Sequence, residues 1–394
     1  MVKNIFRISS LVLVLIGCEP KIEQASKNTQ EKSLTVGTNH IIKSKVLNED
    51  RPIIISVPEN YDKSKASYPV LYLTDGLQNI WHVIGTVEVL TRTGSIPPMI
   101  IVGIESTDRV RDFSPTPSKN NPSSGNGPKY LEFIETELIP YVESTYRTHP
   151  FRVLEGHSLG GLFASYVLMT KPTLFNAHII MSPSFWWNKE ESKTKMEAFL
   201  KTNQDLEVAM FFGIGAYESS PKRGMRKELT DFIEVIKNNQ PKKLRFEHQE
   251  MAKEGHMSSP LLSNYYGLKS IFSDLVLTGE IYDNYTDTAF LNHENGIMAK
   301  YGVNAKQSAE EYAWLAFQLI NKKKYSEAIT VLKRGSEAYS YDIFFYKLLA
   351  ETHEKNKDIK NAIKSYQDAV SVSKKYKFGR EGQFQKEIER LNKR

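Results

Sequence analysis

The sequence predicts an α/β fold: a mostly parallel sheet with helices on both faces, followed by a small all-α segment. Three observations carry this. Short apolar runs alternate with amphipathic stretches from residue 40 to residue 277, the pattern of strands joined by crossover helices. A Gly-x-Ser-x-Gly turn stands where one strand run gives way to a helical one. Beyond residue 305 strand signals stop, and apolar positions recur at helical spacing.

Taken in order, residues 40–47 and 52–57 are β-rich runs around Asn48-Glu49-Asp50, a hairpin signal. With no helix between them they suit an antiparallel edge on a parallel sheet. Residues 69–73 and 98–104 read as buried strands, and 129–146 as a helix with Leu131, Phe133, Ile134, Leu138, Ile139 and Val142 on one side. A strand over 152–155 runs into the serine turn, and a helix follows over 159–169. Strands are expected over 177–181, 208–214 and 244–250, and helices over 189–201, 223–238 and 261–277. After a linker over 281–305, residues 306–394 read as two helical hairpins closed by a capping helix over 378–391. Ala328, Leu332 and Gly335 stand 34 positions before Ala362, Tyr366 and Ala369, and Tyr312, Leu315 and Ala316 precede Tyr346, Leu349 and Ala350 by the same offset. This spacing resembles the tetratricopeptide repeat, although Gly335 stands for the usual Ala and Ser340 for a frequent Pro.

The N-terminus reads as a targeting signal over 1–17. Lys3 and Arg7 precede an apolar run, Leu11 to Ile16, far shorter than a membrane span. Leu15-Ile16-Gly17-Cys18 is similar to a bacterial lipobox, in which the cysteine is diacylated and becomes the mature N-terminus. Cys18 is the one cysteine of the 394 residues, so no internal disulfide forms. Residues 18–35 are polar and read as a tether, leaving the α/β domain over 36–280. The expected location is the bacterial cell envelope, lipid-anchored and exported, facing the periplasm or the surface. A net charge of +6 without a basic stripe argues against nucleic acid. No His-x-x-x-His pair and no cysteine cluster points to a metal, and no cofactor is expected.

Gly156-His157-Ser158-Leu159-Gly160 has the pattern of a nucleophile elbow, in which a serine on a sharp strand-to-helix turn exposes its hydroxyl. With the strand runs around it, this turn describes an α/β-hydrolase sheet. A serine hydroxyl needs a base, and in this fold the chain order is serine, acid, histidine. His178 and His248 lie inside strand runs, and His293 and His353 lie beyond the domain. His256, in a loop after the last strand, is the candidate base. Glu218, in the loop after the strand over 208–214, is the candidate acid, with Glu228 and Glu254 as substitutes. The oxyanion amides are expected at Leu159, directly after the serine, and at Leu77 in Thr74-Asp75-Gly76-Leu77.

Four motifs carry a resemblance. Tyr72-Leu73-Thr74-Asp75-Gly76, Arg109-Val110-Arg111-Asp112-Phe113-Ser114-Pro115, the Ser158 turn through Gly161, and Ser182-Pro183-Ser184-Phe185-Trp186-Trp187 resemble the esterase family that includes esterase D, the enterochelin esterases and, more distantly, the mycolyltransferases. The resemblance covers roughly residues 35–278. It implies a carboxylic ester hydrolase with the triad on Ser158, Glu218 and His256. In the mycolyltransferases an Asp-Gly-Leu loop supplies an oxyanion amide, which agrees with Leu77. Trp186 and Trp187 are expected to wall the substrate, and Asp75 to contact it or brace its own loop. Arg109 and Arg111 are expected to bind an anionic substrate or to pair with Asp112 or Asp108. The expected partners are a small ester substrate, the membrane through Cys18, and a protein held by the helical repeats. Acyl transfer to an alcohol and a non-catalytic surface scaffold are the alternative functions.

Overall fold

The computed structural model describes residues 35–59 and 61–393. The leader, Cys18 and the tether up to residue 34 lie outside the described residues. Val36–Arg394 is one compact unit. Its centre is an eight-stranded sheet in the order β1-β2-β4-β3-β5-β6-β7-β8. The strands are β1 (Thr38–Ser44), β2 (Glu49–Ser56), β3 (Tyr68–Leu73), β4 (Ile100–Ile104), β5 (Thr148–His157), β6 (Ala177–Met181), β7 (Ala209–Gly215) and β8 (Arg245–Met251). β2 runs antiparallel to β1 and β4, and the pairs from β4 through β8 are parallel. β3 and β4 are buried along their whole length, as strands covered on both faces must be. Their side chains divide by the two-residue strand period: Val70 and Tyr72 enter one apolar cluster, Leu71 and Leu73 the other. Helices Leu159–Thr170, Glu191–Thr202 and Met225–Asn238 fill the first face, and helices Gly76–Arg92 and Ser259–Ile271 the second.

Several expectations are corrected. The hairpin turn falls at residues 45–48, earlier than Asn48-Glu49-Asp50 suggested. Glu137 from a distant helix accepts hydrogen bonds from the Lys45 and Val46 N–H groups, and Asn48 takes φ 54°, so tertiary contacts fix the turn. A 17-residue helix, Gly76–Arg92, stands where no helix was expected. Its signal was present: Ile80, Val83, Val87 and Leu90 recur at helical spacing and are buried. The helix expected over 129–146 contains a π-helical stretch, Ile134–Leu138. Pro140, just beyond it, has no N–H and its ring crowds the carbonyl one turn back, which widens the turn.

The expected linker over 281–305 carries two helices, Gly279–Asp283 and Asp287–Tyr301. Phe290 enters the apolar cluster of the C-terminal helices, while Ile297 and Tyr301 pack under the sheet. Beyond them follow Ala309–Asn321, Tyr325–Ala338, Ile343–Lys355, Ile359–Tyr376 and Glu381–Asn392. Small buried residues let these helices approach. At Gly335 an added Cβ would meet the Phe345 ring at 2.5 Å. Among the described residues no helix is long and apolar enough to cross a membrane.

Candidate active site

The site forms where β5, β7 and β8 end. β5 stops at His157, and helix Leu159–Thr170 starts one residue after Ser158. Ser158 is forced into φ 60°, ψ −117°, a conformation that costs about 1–3 kcal/mol and persists only where its surroundings impose it. They do so here. The Ser158 N–H donates to Met181 O at 2.9 Å, and the Ser184 N–H donates to Ser158 O at 3.0 Å. The two motif glycines are steric requirements. A Cβ at Gly156 would lie 2.1 Å from Gly160 O, and one at Gly160 would lie 2.4 Å from Thr74 Oγ1.

The structure brings Ser158, His256 and Glu218 into one hydrogen-bonded chain. Ser158 Oγ is 3.1 Å from His256 Nε2, and His256 Nδ1 is 2.8 Å from Glu218 Oε2. A proton on Nδ1, donated to the carboxylate, leaves Nε2 free to accept from the serine hydroxyl. Glu218 is almost fully buried, while His256 keeps about a third of its side chain exposed at 33%. Burial alone would raise the Glu218 carboxyl. Hydrogen bonds from His256, Ser182 and the Gly215 N–H outweigh it and hold Glu218 below the usual carboxylate range. The partner of the ring is therefore Glu218, not Glu228 or Glu254. His178, buried within β6, is pushed down to about 3 by desolvation and lies outside this chain of contacts.

Three further residues act around the triad that the sequence reading did not single out. Ser182, at φ 42°, donates to Glu218 Oε1 at 2.5 Å and shares a hydrogen bond with Ser259. Ser184 Oγ stands 3.4 Å from Ser158 Oγ. Both belong to the Ser182-Pro183-Ser184 run, so the motif was visible and its use was not. His157 packs its ring 4.5 Å from that of His256. Burial first, then the neighbouring His256, pulls its pKa down to about 3, so it stays neutral.

The expected oxyanion amides sit at two helix starts. Leu159 is the first residue of its helix and Leu77 the second of helix Gly76–Arg92. Such N–H groups have no intrahelical acceptor. The Gln78 and Asn79 amides turn back to Asp75 O, so the Leu77 amide is not engaged in that cap. Asp75 places both carboxylate oxygens on Arg109, at 2.6 and 2.9 Å, and so braces its loop rather than presenting a free group to substrate. Arg111 pairs with Asp112 and Glu49, and Arg51 with Asp112, so the arginine motif is a structural clamp. The two tryptophans part ways. Trp187 is buried and its indole donates to Thr116 O at 3.2 Å, which places it in the core instead of a substrate wall. Trp186 is 47% exposed. Among the described residues no group of His, Cys, Asp and Glu is gathered for a metal ion.

An eight-stranded α/β-hydrolase sheet with a hydrogen-bonded serine, histidine and acid after three parallel strands defines a class of hydrolytic enzymes. Residues 44–256 match the family described as "Putative esterase", and the chain belongs to it. It is a carboxylic ester hydrolase. It is 33% identical over 238 residues to the ferri-bacillibactin esterase BesA of Bacillus subtilis, covering 54% of this chain and 81% of that protein. The crystal structure of an IroE-like serine hydrolase from Shewanella oneidensis is 27% identical with a TM-score of 0.63, covering 76% of this chain and 99% of that one. An uncharacterised protein from Capnocytophaga ochracea, 17% identical, has the same fold over 91% of this chain and 100% of its own, with a TM-score of 0.64.

Proposed function

We propose that the chain is a serine esterase that works through an acyl-enzyme on Ser158. The observation that carries this reading is the continuous hydrogen-bonded path from Ser158 Oγ through His256 to Glu218, with steps of 3.1 and 2.8 Å. As Ser158 Oγ attacks the ester carbonyl carbon, His256 Nε2 takes its proton. Glu218 holds the Nδ1–H and stabilises the imidazolium that forms. The Leu159 and Leu77 amides donate to the developing oxyanion. The imidazolium then gives its proton to the departing alkoxide, and the acyl group stays on Ser158. Water, deprotonated by the same ring, attacks the acyl carbon, releases the acid and restores the hydroxyl.

The substrate we assign is a siderophore ester. The bacterial relative that acts on ferri-bacillibactin supports it. So do exposed apolar and aromatic side chains close in the chain to the reacting groups: Leu77 with Trp81 one helical turn on, Met257 next to His256, and Trp186 two residues after Ser184. The chain is also read as an exported lipoprotein anchored through Cys18. Its C-terminal helices are read as two tetratricopeptide-like repeats that hold a protein partner. Helix starts Ala309 and Ile343, and Tyr325 and Ile359, lie 34 positions apart, which supports the repeat.

The purified full chain is expected to hydrolyse p-nitrophenyl butyrate and ferric bacillibactin. Ser158→Ala should lower kcat/KM on both by about 10³-fold or more. Equal turnover by parent and variant would refute the serine mechanism. Cleavage of the p-nitrophenyl ester with none of the siderophore would refute the substrate alone.

A further inference from the structure

A cavity of about 820 Å³ lies at the end of the sheet opposite the triad. It is bounded by Ser56 at the end of β2, Tyr68 at the start of β3, Met99 just before β4, and helices Gly76–Arg92, Asp287–Tyr301 and Tyr325–Ala338. The triad hangs from loops after β5, β7 and β8, at the other ends of the parallel strands. Ester cleavage therefore takes place elsewhere, and this cavity has no part in it. Cavities of such volume hold small organic ligands, oriented by a few polar groups.

Much of the wall is apolar, with Ile84, Val87, Ile96, Met99 and Met298. Two of the lining cations already have anions. Arg92 pairs with Glu88, and Arg334 with Glu294 and Glu337. Lys306 does not. Its Nζ donates to Ala338 O at 2.5 Å and lies 3.8 Å from the centroid of the Tyr339 ring, with no ion pair among the described residues. An ammonium has three donors, and one carbonyl uses one of them. Ala338 closes its helix, whose negative dipole end favours a cation without neutralising it. Burial pulls Lys306 below the ordinary lysine range, the sign of a charge that lacks compensation.

We propose that this cavity binds an amphipathic monocarboxylate, its carboxylate on Lys306 and its apolar body against Ile84, Val87, Met99 and Met298. A carboxylate takes up the remaining ammonium donors as charge-assisted hydrogen bonds. Once Lys306 is engaged, every other lining cation is already paired with Glu88, Glu294 or Glu337, and Glu59 adds a further acidic group, so a multiply charged anion such as a phosphate ester finds no second cation and is disfavoured. A single negative charge on a long apolar body meets both conditions.

Calorimetric titration of the full chain with dodecanoate, dodecylamine and dodecanol tests this. Dodecanoate should fill one site and bind more tightly than the other two. Lys306→Met should weaken it about tenfold or more while p-nitrophenyl butyrate is hydrolysed at the parent rate. Ile84→Trp should obstruct the apolar side, and thermal unfolding reports whether each variant is folded. Blocking Ser158 with a fluorophosphonate should leave dodecanoate binding unchanged. No binding of dodecanoate, equal or tighter binding of dodecylamine, or loss of binding once Ser158 is blocked would overturn the proposal. These three comparisons use the unmodified side chains of the cavity and stand even where a variant does not fold. Undiminished binding by folded Lys306→Met would overturn it as well.

Discussion

At the scale of single residues, the site is built from charges that burial makes expensive and hydrogen bonds make tolerable. Hydrogen bonds from His256, Ser182 and the Gly215 N–H compensate Glu218, which stays ionised. Glu155, three residues before Ser158, is the contrasting case. It is fully buried, accepts one hydrogen bond from Asn264 at 2.7 Å, and leaves its other oxygen without a partner. Burial raises its pKa to about 8. The folded state therefore holds this proton more tightly than the unfolded chain, whose carboxyl titrates near the ordinary 4.5. The stability it contributes is full below pH 4.5 and is lost as pH rises through about 8. Glu155→Gln removes this titration. Its melting temperature should gain on the parent's between pH 5 and about pH 9, read by thermal unfolding across that range. A constant difference would mean that Glu155 does not titrate as described.

At the scale of elements, the strained elbow depends on two absent side chains. Gly160 faces Thr74 Oγ1, which itself donates to Glu155 O at 3.2 Å, so the elbow and the loop carrying Asp75 and Leu77 are packed directly together. Gly160→Ala is expected to cost about 1–3 kcal/mol in urea unfolding, the usual range for overpacking, and to slow hydrolysis by displacing that loop. Adding Thr74→Ala removes the atom in the way and should recover part of both losses. No recovery in the double variant would show that the clash lies elsewhere. The elements legible in the sequence are those whose local pattern matches their packing. β3, β4 and the helix after Ser158 are apolar in runs that match their final burial. Helix Gly76–Arg92 was missed because its start looked like a turn. β3 stops at Leu73, Asp75 takes a left-handed φ of 53°, and the helix begins at the next residue.

At the scale of the whole molecule, the C-terminal helices and the sheet form one compact unit. Helix Asp287–Tyr301 is the joint, with Phe290 in one apolar cluster and Ile297 and Tyr301 in the other. The lipobox reading predicts that the parent chain fractionates with membranes and that Cys18→Ser shifts it to the soluble fraction, because a diacylated cysteine anchors stably where a bare leader does not. A Cys18→Ser variant still retained on membranes would refute the anchor.

The sequence by itself determined the eight strands, most of the helices between them, the elbow at Ser158, and the order of serine, acid and histidine. These are local signals: apolar periodicity, glycine spacing and chain order. Tertiary structure decided what each polar group is used for. Asp75 closed on Arg109, Trp187 entered the core, and Ser182 turned to hold Glu218. A side chain's partner is set by strands and loops far away in the chain, and no local pattern encodes that distance. The cavity at Lys306 belongs to the same category, since its walls come from the first helix after β3 and from helices more than 200 residues later.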